Sequence, residues 1–251
     1  MTNFKMDGII LIDKPIGWTS FDVVAKVRSQ LRTEIRNQEI ENSTESEKLI
    51  PNSSFKIPSS PKVKVGHTGT LDPLATGLLI IVTGTYCKRA QEFSKMDKWY
   101  QTEVTLGSTS TTDDDEGDKT KVSNNAPDIA EVMSVLDTFI GEQSQLPPAF
   151  SAIKIDGKRA YKLAREGKAV KMEPRTITIY ELTDVTYDYP KLKFAVKVSS
   201  GTYIRSLARD IGEKLNTGAY MSGLVRTQVG PFMLSQAIKV EDFQQSKLQQ
   251  P

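Results

Sequence analysis

Apolar residues recur along this chain in two patterns, one typical of strands and one typical of helices. Short apolar runs at 8–13 and 78–83 predict buried strands. The alternation from Tyr100 to Leu106 predicts a further strand with one shared face. Other strands are predicted at 151–156, 174–184, 192–199 and 224–232, and helices at 19–32, 85–96, 129–140, 158–167, 202–216 and 240–248. Because strands and helices do not alternate strictly, we predict an α+β fold with a mixed, largely antiparallel central sheet flanked by helices.

The predicted helix 19–32 has a recognisable beginning, and the segment after it differs in composition. Thr19 and Asp22 resemble a capping box with aspartate in the usual glutamate position. The segment 33–61 is rich in Ser, Asn, Glu and Lys, contains prolines and lacks a sustained apolar period. We therefore predict that the helix ends near Arg32 and that 33–61 is a mobile surface loop or insertion.

Composition restricts the class of protein. Hydrophobic residues make up 38% and charged residues 25% of the 251 residues, as in an ordinary globular protein. The apolar runs are too short to cross a bilayer, and the first residues lack the features of a secretory signal. The single cysteine, Cys87, excludes an internal disulfide and is typical of a reducing cytosol. We expect a cytoplasmic protein that does not associate with membranes.

Charge is distributed unevenly although the formal net charge is only +2. The segment 151–171 carries seven basic residues and two acidic ones, whereas 103–118 carries six acidic residues and no basic one. The basic segment is suited to a polyanion such as RNA, and the acidic one would repel it. On charge alone, a solvated helix face is an equally good interpretation.

The glycine-rich loop 66–77 is the strongest candidate for an active site. It holds the only histidine, His67, and an aspartate, Asp72, followed by Pro73, which favours extended geometry at the preceding residue. The chain has no serine-hydrolase elbow, no phosphate-binding loop and no dinucleotide fingerprint. Glycosidase chemistry needs two carboxylates, and the sequence indicates no partner for Asp72. After these exclusions, the chemistry that the residues favour is nucleophilic catalysis by an aspartate, without a cofactor or metal.

Several motifs, in their order along the chain, closely resemble the TruB family of tRNA pseudouridine synthases. The resemblance extends from about Gly8 to Phe232, and its central motif is highly specific. The motifs are Asp13-Lys14-Pro15-Ile16-Gly17, Gly66-His67-Thr68-Gly69-Thr70-Leu71-Asp72-Pro73-Leu74-Ala75-Thr76-Gly77, Lys98-Trp99-Tyr100, Gln145-Leu146-Pro147-Pro148-Ala149-Phe150-Ser151-Ala152-Ile153-Lys154, Ser200-Gly201-Thr202-Tyr203-Ile204-Arg205 and Leu224-Val225-Arg226.

The resemblance implies three catalytic residues. Asp72 matches the nucleophile that attacks the ribose of a flipped-out uridine, so that the uracil rotates and rejoins through carbon 5. Arg205 matches the arginine paired with that aspartate, and a close guanidinium favours the ionised carboxylate. Tyr100 matches the tyrosine that stacks on the target base and removes the proton from carbon 5.

The resemblance also implies substrate and RNA contacts. His67 matches the residue that fills the position vacated by the flipped base. Tyr203 and Leu224 match residues that line the uracil pocket. Lys14 and Lys154 match residues expected to contact substrate or RNA. Lys154 belongs to the basic segment 145–172, which matches the family's thumb loop and is expected to contact phosphates.

We predict a single catalytic domain, 1–251, with the pseudouridine synthase fold. Three departures from the family's usual pattern accompany this prediction. The segment 33–61 replaces a short connection, and Thr111 stands where the family often has an aspartate. Few residues follow Phe232, so no C-terminal RNA-binding PUA domain is expected, and the protein should rely more heavily on its thumb segment.

The expected activity is conversion of uridine-55 in the T loop of tRNA to pseudouridine. The expected partner is therefore the T stem-loop of tRNA; no obligatory protein partner is expected, and the resemblance suggests a monomer. A guide-RNA-dependent relative acting on other RNA is one alternative. A non-catalytic RNA-binding or tRNA-folding factor is another. Activity of the purified chain on tRNA would separate the first alternative from the expected activity, and folding assays with Asp72→Asn would detect the second.

Overall fold

A computed structural model describes residues 7–41, 62–151, 153–155, 157–166 and 171–244. The chain forms two compact units. The first comprises Met1–Ser94 together with Phe232–Pro251, and the second comprises Lys95–Pro231. The single catalytic domain predicted for 1–251 stays a prediction.

The first unit contains a small mixed sheet. Its strands are β1 (Gly8–Lys14), β2 (Val65–His67), β3 (Thr76–Thr83) and a short one, Ile238–Lys239. Both β1 and β2 are antiparallel to β3, whereas Ile238–Lys239 is parallel to β1. The apolar runs of β1 and β3 have almost no exposed surface, because both faces of these strands are covered.

Helix α1 (Ser20–Glu41) packs an apolar stripe into the first unit. Val23, Val27 and Leu31 are completely buried at helical spacing. The predicted capping box is confirmed, since the Thr19 backbone N–H donates to the Asp22 carboxylate at 2.8 Å and the Asp22 N–H donates to Thr19 Oγ1 at 3.1 Å. These two bonds fix the first turn of α1.

The predicted end of α1 near Arg32 is wrong, because the helix continues to Glu41. Ile35 is only 6% exposed and continues the buried stripe one turn beyond Leu31. The Glu, Arg and Gln residues that follow favour helix despite their polarity. The first part of the predicted loop 33–61 is therefore helical, and 42–61 lies outside the described residues.

Two other predicted helices of the first unit differ from the structure. The segment predicted as a helix at 85–96 is a 3-10 helix, Gly84–Arg89, followed by a short α-helix, Ala90–Ser94. The predicted terminal helix 240–248 begins as a 3-10 helix, Val240–Asp242, preceded by another at Leu234–Gln236. Residues 245–251 lie outside the described part.

The strands of the second unit are β4 (Lys98–Leu106), β5 (Ser108–Ser110), β6 (Lys119–Lys121), β7 (Gly141–Gln145), β8 (Lys154–Ile155), β9 (Lys158–Arg159), β10 (Arg175–Asp188), β11 (Lys191–Val198) and β12 (Ala219–Val229). Five of them form an antiparallel sheet in the order β12, β4, β11, β10, β7. β5 pairs with β6, and β8 pairs with β9. The alternation predicted from Tyr100 to Leu106 is confirmed, since these alternate side chains of β4 are buried.

Helices of the second unit are Ile129–Asp137, Ala160–Arg165 and Ile204–Lys214. Gly212 lies where the last of these meets the chain just before β12. A Cβ at this position would come within 2.5 Å of the Ala219 Cβ, so only glycine permits the approach. No helix in the described ranges combines the length and the apolar character needed to cross a membrane.

The predicted fold class is confirmed. The parallel pair of β1 with Ile238–Lys239 makes the sheet of the first unit mixed. The pairs of β1 and β2 with β3, and those along the sheet β12, β4, β11, β10, β7, are antiparallel. The basic part of the thumb segment is a two-strand hairpin, β8–β9, and a short helix rather than one strand and one helix.

Candidate active site

The glycine-rich loop of the first unit is fixed immediately before Asp72. The Leu71 backbone N–H donates to Ser20 Oγ at 2.8 Å, and Ser20 Oγ donates to the Leu71 carbonyl at 3.1 Å. Ser20 is 1% exposed and Leu71 is 3% exposed, so water does not compete for these bonds. Asp72 itself is only half-buried. Its backbone is therefore held firmly while its side chain remains accessible.

Lys14, at the end of β1, holds the same loop from another direction. Its Nζ donates to the carbonyls of Pro15 at 2.9 Å, Trp18 at 2.6 Å and Pro73 at 3.4 Å. The Gly17 N–H also donates to the Pro73 carbonyl, at 2.8 Å. Lys14 is completely buried, and its contact with substrate or RNA stays a prediction. In the structure Lys14 fixes the chain on the C-terminal side of Asp72.

His67 lies at the end of β2, opposite Ile81 of β3, and is half-buried. Its ring makes an edge-to-face contact with the ring of Phe21, with centroids 5.2 Å apart and an interplanar angle of 86°. Phe21 is the second residue of α1 and is 61% exposed. The N-terminal turn of α1 thus lies beside both His67 and the loop that carries Asp72.

Arg205, in the second unit, is buried and forms an ion pair that sequence reasoning missed. Its Nη1 lies 3.3 Å from Asp114 Oδ2 and donates to the Thr112 carbonyl at 3.3 Å, while Nη2 donates to the Phe150 carbonyl at 2.9 Å. The side chain of Arg205 is 8% exposed and that of Asp114 is 3% exposed. Although Asp114 belongs to the acidic segment 103–118, its carboxylate is buried against Arg205 and does not face solvent.

A second ion pair lies beside the first. Arg209, one turn after Arg205, donates from Nη1 to Asp113 Oδ2 at 3.1 Å. Burial raises the pKa of Asp113, and the nearby Arg209 and Arg205 oppose that effect. Asp113 also adopts a positive φ of 61°. The consecutive aspartates Asp113 and Asp114 thus pair with two different arginines. Thr112 Oγ1 donates to Asp114 Oδ1 at 2.5 Å and helps to hold that carboxylate.

Tyr203 precedes the helix that bears Arg205 and is held through its backbone. Gln145 accepts from the Tyr203 N–H at 2.8 Å and donates to the Tyr203 carbonyl at 3.0 Å. Gln145 is 3% exposed, whereas Tyr203 is half-buried with the Arg175 guanidinium 5.6 Å from its ring centroid. Gln145 is a further residue that sequence reasoning quoted only as part of a motif. Its amide fixes the start of the helix.

Tyr100 lies on β4 between Val196 of β11 and Arg226 of β12, and is 7% exposed. Lys98, two residues earlier on the same face, is also buried. Burial, followed by the charge of Arg226, lowers the pKa of Lys98 to about 8, although Asp97 opposes this. Leu224 is half-buried and lies opposite Thr102 on β4.

The thumb segment presents part of its basic charge to solvent. Lys158 and Lys162 are exposed, and Lys154 lies on β8 opposite Arg159 of β9. In the described ranges, no three His, Cys, Asp or Glu side chains are grouped so as to hold a metal ion.

The predicted site residues fall into two sets. The first unit holds Lys14, His67 and Asp72, and the second holds Tyr100, Lys154, Tyr203, Arg205 and Leu224. Within the second unit, the structure adds Asp114 and Gln145 as residues that position Arg205 and Tyr203. The assignment of Asp72, Tyr100 and Arg205 to one catalytic centre stays a prediction.

Comparison with known proteins gives the family. The model of the TruB family pseudouridylate synthase N-terminal domain matches residues 56–204, and that of the tRNA pseudouridylate synthase B C-terminal domain matches 205–250. The chain therefore belongs to the TruB family of pseudouridylate synthases, which confirms the resemblance seen in the motifs.

Curated relatives share most of their length with this chain. It is 41% identical to a tRNA pseudouridine synthase B of Phocaeicola vulgatus, with 96% of this chain and 93% of that protein covered. It is 40% identical to the protein of the same name from Bacteroides fragilis, with 96% and 94% covered. Among solved structures, a chain from a Cbf5-Nop10-Gar1 complex matches with a TM-score of 0.64 and 28% identity over 94% of this chain. Only 53% of that longer chain is covered.

Proposed function

We propose that this protein converts uridine-55 in the T loop of tRNA to pseudouridine. Two curated relatives that match over nearly their whole length are named tRNA pseudouridine synthase B, which supports tRNA as the substrate. The single observation that carries the proposal is the loop around Asp72. A half-buried carboxylate lies on a loop whose flanking residues are held by Ser20, Lys14 and Gly17.

Asp72 acts as the nucleophile at the ribose of the target uridine. The bond between ribose and nitrogen 1 of uracil breaks, and the freed base rotates. A bond from carbon 5 of uracil to the ribose then forms while the bond between the ribose and Asp72 breaks, which restores the free carboxylate. Carbon 5 loses its proton and nitrogen 1 gains one, so the reaction is an isomerisation that consumes no other reactant. The rigid loop serves this step because a carboxylate held at a fixed position reacts faster than a mobile one.

Three further residues complete the proposed centre. Arg205 stabilises the ionised Asp72, and its ion pair with Asp114 fixes the guanidinium. Tyr100 stacks on the uracil and accepts the proton from carbon 5. His67 occupies the position that the flipped uridine leaves, where an aromatic ring can stack without changing its charge.

The proposed binding residues are those that the family resemblance implies. Tyr203 and Leu224, both half-buried, line the uracil pocket. The exposed Lys158 and Lys162 and the strand residue Lys154 belong to the thumb segment, which contacts phosphates of the T stem-loop. Such contacts add affinity without reading sequence, so RNA binding should weaken with salt.

The test is carbodiimide-adduct primer extension on an unmodified tRNA transcript incubated with the purified protein, with Asp72→Asn in parallel. We expect a stop at uridine-55 with the wild type and none with the variant. The variant should keep its fold and its affinity for RNA, because only one oxygen of a half-buried side chain changes. Turnover by Asp72→Asn above background would overturn the role of Asp72.

The same experiment tests the guide-dependent alternative, and a tRNA-folding assay with the same two proteins tests the other. A guide-dependent relative would bind tRNA but leave uridine-55 unmodified in the absence of a guide. A folding factor would raise the yield of correctly folded tRNA equally with wild type and Asp72→Asn. Modification by the purified chain alone rules out the guide requirement.

A further inference from the structure

We propose that Phe21 is an RNA-contacting residue. Together with His67 it forms an aromatic pair that stacks on an unpaired base of the T loop. This inference rests on the proposed function, because it takes the RNA surface around His67 as its starting point. Phe21 lies outside every motif that carries the family resemblance.

The exposure of Phe21 is not explained by packing. The apolar stripe of α1 is already formed by Val23, Val27 and Leu31, which are completely buried, whereas Phe21 is 61% exposed. Phe21 directly follows Ser20, the residue whose side chain hydrogen-bonds to Leu71. An exposed aromatic ring this close to a candidate active-site loop indicates a binding surface rather than a core position.

The geometry with His67 suits a base. The two rings are edge-to-face, with centroids 5.2 Å apart and planes at 86°. A perpendicular pair presents one ring face and one ring edge, which together form a corner. A base that stacks on the exposed face of one ring meets the edge of the other, and aromatic pairs favour both arrangements.

The position of Phe21 is fixed before RNA binds. The capping box between Thr19 and Asp22 sets the first turn of α1, and the buried Ser20 hydroxyl ties that turn to Leu71. A ring on such a rigid turn loses little conformational freedom on binding, so its contact contributes more to affinity. Ile16, 70% exposed in the neighbouring segment, extends the apolar surface.

RNA is the occupant that this surface favours. The ring touches the one histidine of the chain, on the same loop as Asp72, so a ligand that reaches Asp72 passes close to Phe21. Single-stranded bases are recognised chiefly by stacking on aromatic side chains. A T loop supplies unpaired bases on either side of a target uridine, whereas the thumb segment supplies the charge for its phosphates.

The test measures binding of a fluorescein-labelled T stem-loop RNA to Phe21 variants made in the Asp72→Asn protein. Phe21→Ala and Phe21→Leu should each raise Kd about tenfold, the loss expected for one base–aromatic stack. Phe21→Tyr keeps the ring and should stay within about twofold of the parent. Ile129→Ala, at a residue that is 51% exposed in the second unit, is the matched control for removing exposed apolar surface.

A second measurement identifies the stacked base. 2-Aminopurine placed beside the target uridine should be quenched on binding to the parent protein and to Phe21→Tyr, and less quenched with Phe21→Leu. If Phe21→Leu binds and quenches like the parent, the ring does not stack and the proposal is overturned. A Kd within twofold of the parent for Phe21→Ala overturns it as well.

The two proposals fail separately. Failure of the wild type to modify uridine-55 would overturn the proposed function, whatever the Phe21 variants do. If the wild type modifies uridine-55 and Phe21→Ala matches it in both RNA affinity and single-turnover rate, only the role of Phe21 is lost.

Discussion

The loop that carries Asp72 and the helix that carries Arg205 are held in place by different physical means. In the first unit, the described contacts of the loop go to backbone groups, from the Ser20 hydroxyl, the Lys14 ammonium and the Gly17 N–H. In the second unit, Arg205 is held by the carboxylate of Asp114 and by two carbonyls. Both charges of that ion pair are almost completely buried.

The difference has a consequence for stability. A hydrogen bond between a hydroxyl and a backbone amide contributes about 1 kcal/mol and does not depend on pH. A buried ion pair contributes little net stability while intact, but the loss of one partner leaves an uncompensated charge. The position of Arg205 should therefore be sensitive to any change in charge nearby, whereas that of Asp72 should be sensitive to small changes in shape.

The largest effect is expected for Asp114→Asn. The variant leaves the Arg205 guanidinium buried without its carboxylate, so the free energy of unfolding should fall by about 3–5 kcal/mol. Turnover should fall with it, because the arginine loses its fixed position. Urea unfolding and single-turnover assays measure the two effects.

Asp113→Asn is the matched control for that substitution. Its carboxylate is more exposed, and burial already disfavours its ionised form. The free energy of unfolding of Asp113→Asn should fall by about 1 kcal/mol or less. Equal losses for the two variants would show that burial of the ion pair does not distinguish Arg205 from Arg209.

A pH titration tests how the buried charge of Lys98, in the second unit, affects stability. The pKa of Lys98 is about 8 in the folded protein and 10.5 ordinarily, so the unfolded chain binds more protons between these values. Stability should therefore rise as the pH rises from about 8 to 10.5, and the full penalty should be present below about 8. Between pH 8 and about pH 10, the free energy of unfolding of the wild type should rise by about 2 kcal/mol relative to that of Lys98→Met, as measured by urea unfolding.

An unchanged difference between wild type and Lys98→Met across this range would contradict the lowered pKa. The Ser20 contacts provide the comparison, because no group in them titrates in this range. The stability lost in a Ser20 variant should be the same at both ends of the range.

Ser20→Ala is expected to affect stability less than Asp114→Asn does. The variant removes both bonds to Leu71 and should lower the free energy of unfolding by about 1–2 kcal/mol. Because Leu71 precedes Asp72, single-turnover modification of a T stem-loop should slow about tenfold with an unchanged RNA Kd. Ser29→Ala, at an exposed position of the same helix, should change neither quantity. A normal rate for Ser20→Ala would show that the loop keeps its shape without these bonds.

Much of the fold was predictable because its elements are marked by local patterns. The apolar runs of β1 and β3, the alternation along β4 and the capping box of α1 all appear where the sequence placed them. The end of α1 was mispredicted because polar residues with good helix propensity resemble a surface loop when tertiary contacts are unknown. Ile35 is buried by the rest of the first unit, and no local pattern shows that.

The candidate site was predictable to a smaller extent. The loop 66–77 was evident from its glycines, proline and lone histidine, and the family resemblance supplied the residue roles. Three findings required the structure: Asp114 as the partner of Arg205, the burial of Lys14, and the contact between Phe21 and His67. An acidic run looks solvated, a lysine looks exposed, and an aromatic at a helix start looks like a core residue.

By itself, the sequence determined the longer strands, the helices of the second unit, the loop 66–77 and the family, because each depends on residues close together in the chain. Only the tertiary structure decided which buried charged side chains form ion pairs with each other. Asp114 and Arg205 are 91 positions apart, and the consecutive aspartates Asp113 and Asp114 pair with different arginines. The energy of a buried charge depends on every group around it, and those groups come together only when the chain has folded.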